Sequence, residues 1–393
     1  MIHTRPHRLS NVIVLLAGMS LHAAAADTQA GNPWVNTEVF DQIWSYATLY
    51  KNEANPTLEE FKLRGRYQGQ YWDVDANQGS QSNWEDRRSR FGFDAKLFEK
   101  KVEIRADFQS NDGFQDLYDG LVDAYIRWKP QSWLSITAGK TKPLIAQYDW
   151  LESTNNQPTF ERSQIFNQLG INRATALTVE GKADAFSWRS GVYLNGTPNS
   201  TGGSGAFGDG EFGDLNGGVS FTLGAGYDFK KPVGLDKADW RLDWLHSSRQ
   251  AGDLVLNKYD DILTSTLWLK QDATAVVVEG FYASGGDGSN SNVCGFYVEP
   301  TYDILPKQLQ LVGRYSFASS TGPLGVVGQT RYERTVATAS GRGDTYNALY
   351  GGVQYFIYGD KLKLLAGTEW ARISGRSEAY DGFTFLTGAR LSF

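Results

Sequence analysis

From residue 61 onward the chain alternates in residue type, and this period of two constrains its fold more than any other feature. In the first such stretch Phe61, Leu63, Tyr67 and Tyr71 take one parity, and Lys62, Arg64, Arg66, Gln68 and Gln70 take the other. Phe91, Phe93, Ala95 and Leu97 repeat the pattern against Arg90, Asp94 and Lys96. After a tight Glu99-Lys100 turn, Val102, Ile104, Ala106 and Phe108 oppose Lys101, Glu103, Arg105 and Asp107, which predicts a hairpin. Alternation also suits a soluble sandwich, whose apolar face points inward. However, no apolar run beyond residue 26 reaches the roughly 18 to 20 residues of a spanning helix, so any membrane crossing is by strands. The 43 glycines, 20 tyrosines, 21 phenylalanines and 12 tryptophans suit closed sheets better than helix bundles.

Further strands are predicted at 122–128, 133–142, 174–181, 185–195, 217–230, 238–248, 260–270 and 273–284, then at 293–303, 307–318, 344–357, 361–373 and 382–393. The total is about sixteen, an even count that brings both ends of a barrel to one side. Short turns at Pro130-Gln131, Lys182-Ala183-Asp184, Lys270-Gln271-Asp272, 303–307 and Gly359-Asp360 separate long polar connections near 74–88, 196–216, 285–292 and 319–343. Such asymmetry belongs to barrels of the bacterial outer membrane, with short periplasmic turns and longer external loops. The last strand places Phe383, Phe385, Thr387, Ala389, Leu391 and Phe393 on one face, and its terminal aromatic resembles the signal read by the barrel-insertion machinery. The expected fold class is all-β, a transmembrane antiparallel β-barrel of about 16 strands embedded in outer-membrane lipid.

Arg5 and Arg8, the apolar stretch Val12 to Leu21 and the site Ala24-x-Ala26 read as a secretory signal. The expected organisation is a signal over 1–26, a periplasmic lead over 27–60 and the barrel over 61–393. Within the lead, Trp34, Val35, Phe40, Ile43, Trp44 and Ala47 approach helical spacing, and an irregular linker fits about as well. A net charge of −6 argues against nucleic acid as a partner. The single Cys294 forms no internal disulfide, and His246 is the one histidine beyond the signal, which also holds His3, His7 and His22. These counts leave little for a metal, a cofactor or a His-based catalytic centre, so none is assigned. Gly202-Gly203-Ser204-Gly205 has only the composition of a phosphate cradle, and Asp260-Asp261 and Asp209-Gly210-Glu211 lack a regular calcium ligand series.

Lys62, Arg64, Arg66, Arg90, Arg105 and Arg127 fall on the polar parity, as do Lys129, Arg189, Arg241, Arg314 and Arg390. Two readings stand. A ladder of lumen cations passes anions along, whereas mixed charge merely keeps a lumen hydrated, and Glu103, Asp107, Asp239, Asp243, Glu279 and Glu369 share the face.

The connection from Pro143 to Arg173 runs to about 30 residues, a length that is uncommon unless functional. It carries Tyr148, Asp149, Trp150, Glu152, Phe160, Glu161, Arg162 and Arg173. Around it lie Arg87-Arg88-Ser89-Arg90-Phe91-Gly92-Phe93, Lys96-Leu97-Phe98, Asp123-Ala124-Tyr125-Ile126, Gly139-Lys140-Thr141-Lys142-Pro143 and Phe160-Glu161-Arg162-Ser163. In order and spacing over residues 85–195 this series resembles the phosphate-selective porin O and P family. The chain departs from the family's pattern at Leu144-Ile145, where Phe-Gly usually follows Lys-Pro. The resemblance implies a homotrimeric channel in which the third loop folds into the lumen. It also implies a constriction on which Arg87, Arg88 and Arg162 meet, with Asp123 as an acidic neighbour. Guanidinium groups hold their charge and match oxyanion oxygens two at a time, so small anionic solutes such as phosphate are the expected cargo. A general non-selective porin is the alternative. A barrel hydrolase would depend on His246, which lies on lipid-side parity, and a purely structural barrel would have a closed lumen.

Overall fold

The computed structural model describes residues 37–110, 112–194, 218–248, 258–285, 292–323, 325–337, 341–375 and 379–393. The signal at 1–26, the glycine stretch 202–205, the cluster 209–211 and most of the connections near 196–216 and 285–292 lie outside these residues.

A short helix α1 (Thr37–Ser45) and strand β1 (Thr48–Lys51) lead into two long strands, β2 (Leu58–Ala76) and β3 (Gly79–Leu97). There follow β4 (Val102–Ser110), β5 (Gly120–Gln131), β6 (Leu134–Thr141), β7 (Ala174–Ala183), β8 (Phe186–Leu194) and β9 (Val219–Asp228). Helix α2 (Gln164–Leu169) stands between β6 and β7, and α3 (Lys230–Val233) follows β9. The next strands are β10 (Lys237–Ser248), β11 (Asp261–Gln271), β12 (Thr274–Ser284), β13 (Asn292–Leu305) and β14 (Leu309–Ser319). The connection after β14 holds β15 (Val326–Val327), α4 (Glu333–Val336) and β16 (Arg342–Gly343). Strands β17 (Thr345–Tyr358), β18 (Leu362–Ser374) and β19 (Tyr380–Ser392) complete the chain.

Each barrel strand pairs antiparallel with its neighbour in sequence, and β19 returns to β2 in the register Ser392↔Arg66 to Gly382↔Ala76. With β1 set aside from the 17-stranded sheet, sixteen strands close the barrel. Its faces invert those of a soluble protein. Leu177, Leu223, Leu349, Phe383 and Phe385 are exposed, whereas Asp243, Glu279, Arg314, Lys363 and Glu369 are buried inside. Exposed aromatics gather at both rims, with Phe98, Trp128, Trp133 and Trp240 at the short-turn end and Trp84, Phe221 and Tyr282 at the other, as interfacial girdles do.

Two expectations are corrected. Residues 74–88 form no long loop, because β2 and β3 run 19 residues each and meet at a tight turn around Asn77 and Gln78. At the far end of β2 the pattern reverses, with Trp72 and Val74 buried and Asp73 and Asp75 exposed. A strand that has left the membrane faces water outside, so the lipid-facing parity that defines the rest of the strand is lost there. The second correction lies in the lead, where Thr48–Lys51 is strand and β2 begins at Leu58. Strand β1 pairs with Glu60 to Lys62, on the edge of β2 that β19 leaves free beyond Arg66. Helix α1 is tied to the same end by Trp44 Nε1, which donates to the Ser392 carbonyl at 2.6 Å, and by the Tyr358 hydroxyl donating to Asp41.

The terminal Phe393 depends on one glycine. Its amide donates to the Gly65 carbonyl at 3.0 Å, and a Cβ at Gly65 would lie 2.1 Å from the Phe393 ring. Gly65→Val is therefore expected to cost about 1–3 kcal/mol as overpacking, read as a lower urea midpoint for unfolding from vesicles. Adding Phe393→Ala should return most of that loss; if it does not, the ring contact is not the cause.

Candidate functional site

The connection between β6 and β7 reaches the barrel strands β12–β14 and β19. It opens with a π-helical turn at Gln147–Leu151 and carries α2, which Ser163 caps by accepting the Phe166 amide at 3.2 Å and Gly170 ends in a left-handed conformation (φ 65°). From these four strands, four side chains bond to it. Glu279 of β12 accepts the backbone amides of Tyr148 and Asp149 at 3.1 and 2.9 Å, and Glu299 of β13 accepts the Tyr148 hydroxyl at 2.8 Å. Arg314 of β14 donates to Thr159 Oγ1 at 3.0 Å and to the Glu161 carbonyl at 2.7 Å. Arg390 of β19 donates to the carbonyls of Thr154, Gln157, Thr159 and Phe160, at 2.7, 2.6, 2.6 and 3.1 Å.

Opposite these contacts stands the arginine wall of β3. The β2–β3 register passes from Gln68↔Arg88 to Gly69↔Asp86, so Arg87 is the extra residue of a β-bulge. A regular strand would send Arg87 and Arg88 to opposite faces; here the bulge turns both inward, while Asp86 accepts the Tyr67 hydroxyl on the other face. Arg87 binds Glu161 with two parallel bonds of 2.6 and 3.0 Å. Burial works against the Glu161 charge, yet Arg87, and beyond it Arg88, hold this carboxyl well below its ordinary range. Arg88 donates to the Gln68 amide oxygen at 2.8 Å, Arg90 to that of Gln109 at 3.2 Å, and Arg162 to the Asp149 carbonyl at 2.7 Å.

Arg87, Arg88, Arg90, Arg162, Arg173 and Arg331 line one cavity of about 200 Å³ at the long-connection end, and no Asp or Glu is among its lining residues. Asp123 does not join Arg87 or Arg162; it pairs at 2.7 Å with Arg173, which lines that cavity. Trp150 lies beside these cations, with Arg162, Lys142 and Arg173 at 4.9, 5.1 and 5.2 Å from its ring centre. Its buried indole N–H has no acceptor among the described residues.

A second cavity of about 590 Å³ opens at the short-turn end, bounded there by Asp360, Lys361 and the chain terminus. It shares Arg90 and Arg173 with the first, so the two compartments meet at these residues. Its charge is mixed: Arg64 pairs with Asp94 and Asp107 at 2.8 and 3.0 Å, Arg105 with Asp94 and Glu103 at 2.6 and 3.1 Å, and Arg127 with Glu103 at 3.7 Å. Arg66 donates to Ser153 and Thr154 hydroxyls at 3.2 Å each, and Lys62 lies opposite Asp94 in the strand register. His246 faces outward beside Trp244, 3.0 Å from Asp261, so it takes no part in either cavity.

Parity reasoning reached neither Arg173, which stands one residue before β7, nor Arg331, which lies in a connection with no alternation. Trp150 was legible only as a member of a long loop, and Glu161 as that and as part of the motif Phe160-Glu161-Arg162-Ser163, with no role attached to either. Residues 61–238 match the family described as phosphate-selective porin O and P. Over that stretch, and in its closed sixteen-stranded barrel, the chain is porin-like. Its barrel places it in the bacterial outer membrane, and its role is transport without catalysis. No curated protein sequence matches it. Among solved structures the chain resembles OmpF of Salmonella typhi, at 12% identity and a TM-score of 0.59 over 88% of this chain and 100% of that one. It also resembles the anion-selective porin from Comamonas acidovorans, at 9% identity and a TM-score of 0.56 over 85% and 99% of the two chains. The outer membrane channel DcaP of Acinetobacter baumannii follows at 15% identity and a TM-score of 0.54, over 88% and 100%. At these identities the likeness is one of fold.

Proposed function

We propose that the porin is a passive channel preferring small oxyanions, phosphate among them, and that the segment 143–173 folds into the lumen as its third loop to narrow it. The carrying observation is the cavity lined by six arginines and, among the described residues, by no carboxylate. At about 4 Å a unit charge gains roughly 4 kcal/mol in a protein-walled site against roughly 1 kcal/mol in bulk water, so such a compartment enriches anions. The indole N–H of Trp150, a buried donor without an acceptor among the described residues, adds a group that an oxyanion oxygen satisfies. Release needs weaker sites in series, and the mixed-charge compartment beyond Arg90 and Arg173 supplies them. That same compartment favours the second reading, a general porin whose lumen charges serve hydration. Outer-membrane insertion through Phe393 and assembly as a homotrimer belong to the proposal as well.

Planar-bilayer recording separates the readings. Under a salt gradient the reversal potential is expected to have the sign of anion selectivity, and phosphate should block chloride current. A potential near zero or of opposite sign, without block, reduces the protein to a general porin.

A further inference from the structure

The arginine cavity receives one residue from a different connection. Residues 325–337, between β14 and β17, lie against the segment that carries α2. Gln329 Nε2 donates to the Arg162 carbonyl at 2.9 Å, Asn167 Nδ2 to Gln329 Oε1 at 2.6 Å, and Gln164 Nε2 to the Val327 carbonyl at 2.6 Å. The strap is fixed from within by Glu333, which accepts the Gln329 amide at 2.6 Å and the Tyr346 hydroxyl at 2.8 Å. Arg331 is thereby held at the cavity that Arg87, Arg88 and Arg162 line.

Arg331 differs from these neighbours in its access to water. Its side chain is 39% exposed, against 15% for Arg87 and 8% for Arg173. It bonds at 3.2 Å to Glu85, whose other oxygen is engaged by Gln70 at 2.7 Å. A half-exposed charge at the rim of a cationic compartment acts on arrival, because its field extends into solvent and its bond to a bound ion is diluted by water. Buried charges act on departure.

We propose that Arg331 is the capture residue of this channel, setting the rate at which oxyanions enter the arginine cavity from the external side. The inference rests on the oxyanion reading of that cavity. It assigns the strap at 325–337 a part in specificity, as the mount for a guanidinium that the barrel wall does not provide.

The test is the kinetics of current block by inorganic phosphate, added from one side at a time, for the wild type, Arg331→Gln and Arg331→Lys. At about 0.1 M salt, Arg331→Gln is expected to lower the blocking on-rate from the external side on the order of five- to tenfold, with the off-rate held within about twofold. At about 1 M salt the difference should largely vanish, since the screening length falls to about 3 Å. Arg331→Lys keeps the charge and should keep the on-rate. Entry from the periplasmic side should be unaffected by either change. An unchanged external on-rate, or an off-rate altered as much as the on-rate, overturns capture by Arg331. A wild type that phosphate does not block at all overturns the oxyanion reading beneath it.

Discussion

Arg390→Ala is expected to raise single-channel conductance by on the order of twofold and to make the current noisy. One buried guanidinium on β19 donates to four carbonyls of the segment 143–173, those of Thr154, Gln157, Thr159 and Phe160. Hydrogen bonds from a charged donor contribute about 1.5–3 kcal/mol each, and a carbonyl left buried without a donor carries its own penalty. Among the described residues no other strand side chain bonds to so many points of the segment, which is also held at Glu279, Glu299, Arg314, Arg66, Gln68 and Arg87. The barrel should persist, because the β19 ladders to β18 and β2 are backbone bonds that the side chain does not enter. Arg390→Lys should fall between, since an ammonium reaches fewer carbonyls at once than a planar fork. Arg372→Ala serves as the control, its side chain being 56% exposed near Asp381. Equal conductance for Arg390→Ala and the wild type would mean that the segment does not set the width of the pore.

The parts of this structure legible in the sequence are those written in parity. Lipid on one side and side-chain packing or water on the other force alternation, which located sixteen strands and placed Arg64, Arg105, Arg314 and Arg390 on the inner face. Where lipid ends, parity fails. Trp72 and Val74 point inward while Asp73 and Asp75 face water, so the hairpin above the membrane read as a polar loop. The bulge at Arg87 was equally invisible, because strict alternation cannot set Arg87 and Arg88 on one face; only the motif resemblance brought both forward. The grip on the third connection was hidden for another reason. Glu279 and Tyr148 are 131 residues apart, and no local pattern announces that a carboxylate on β12 will satisfy two amides of a turn before β7. Arg331 had no signal of any kind, since its position follows from the docking of one connection on another.

The pairing pattern at the constriction separates arginines that the sequence treated alike. Arg87 is neutralised by Glu161 through two bonds, whereas Arg88 and Arg162 donate to the Gln68 amide and the Asp149 carbonyl, neither of which carries charge. Selectivity should follow the second group. The double variant Arg88→Gln with Arg162→Gln removes two charges whose bonds to an anion are worth about 1.5–3 kcal/mol each. The half-blocking phosphate concentration is expected to rise about 100-fold or more, given tenfold for each 1.4 kcal/mol, and the anion-to-cation permeability ratio should fall towards unity. Arg87→Gln with Glu161→Gln removes a cation and an anion together, avoids leaving Glu161 buried without its partner, and should move half-block by no more than about threefold. Arg162→Lys, retaining charge beside Trp150, should recover part of the loss. Measuring block and reversal potential on the same channels decides the matter, because a loose segment changes conductance without a preference for either sign of ion. If the two double variants weaken phosphate block equally, the net charge of the cavity is not what holds the anion, and the paired Arg87 contributes as much as its neighbours.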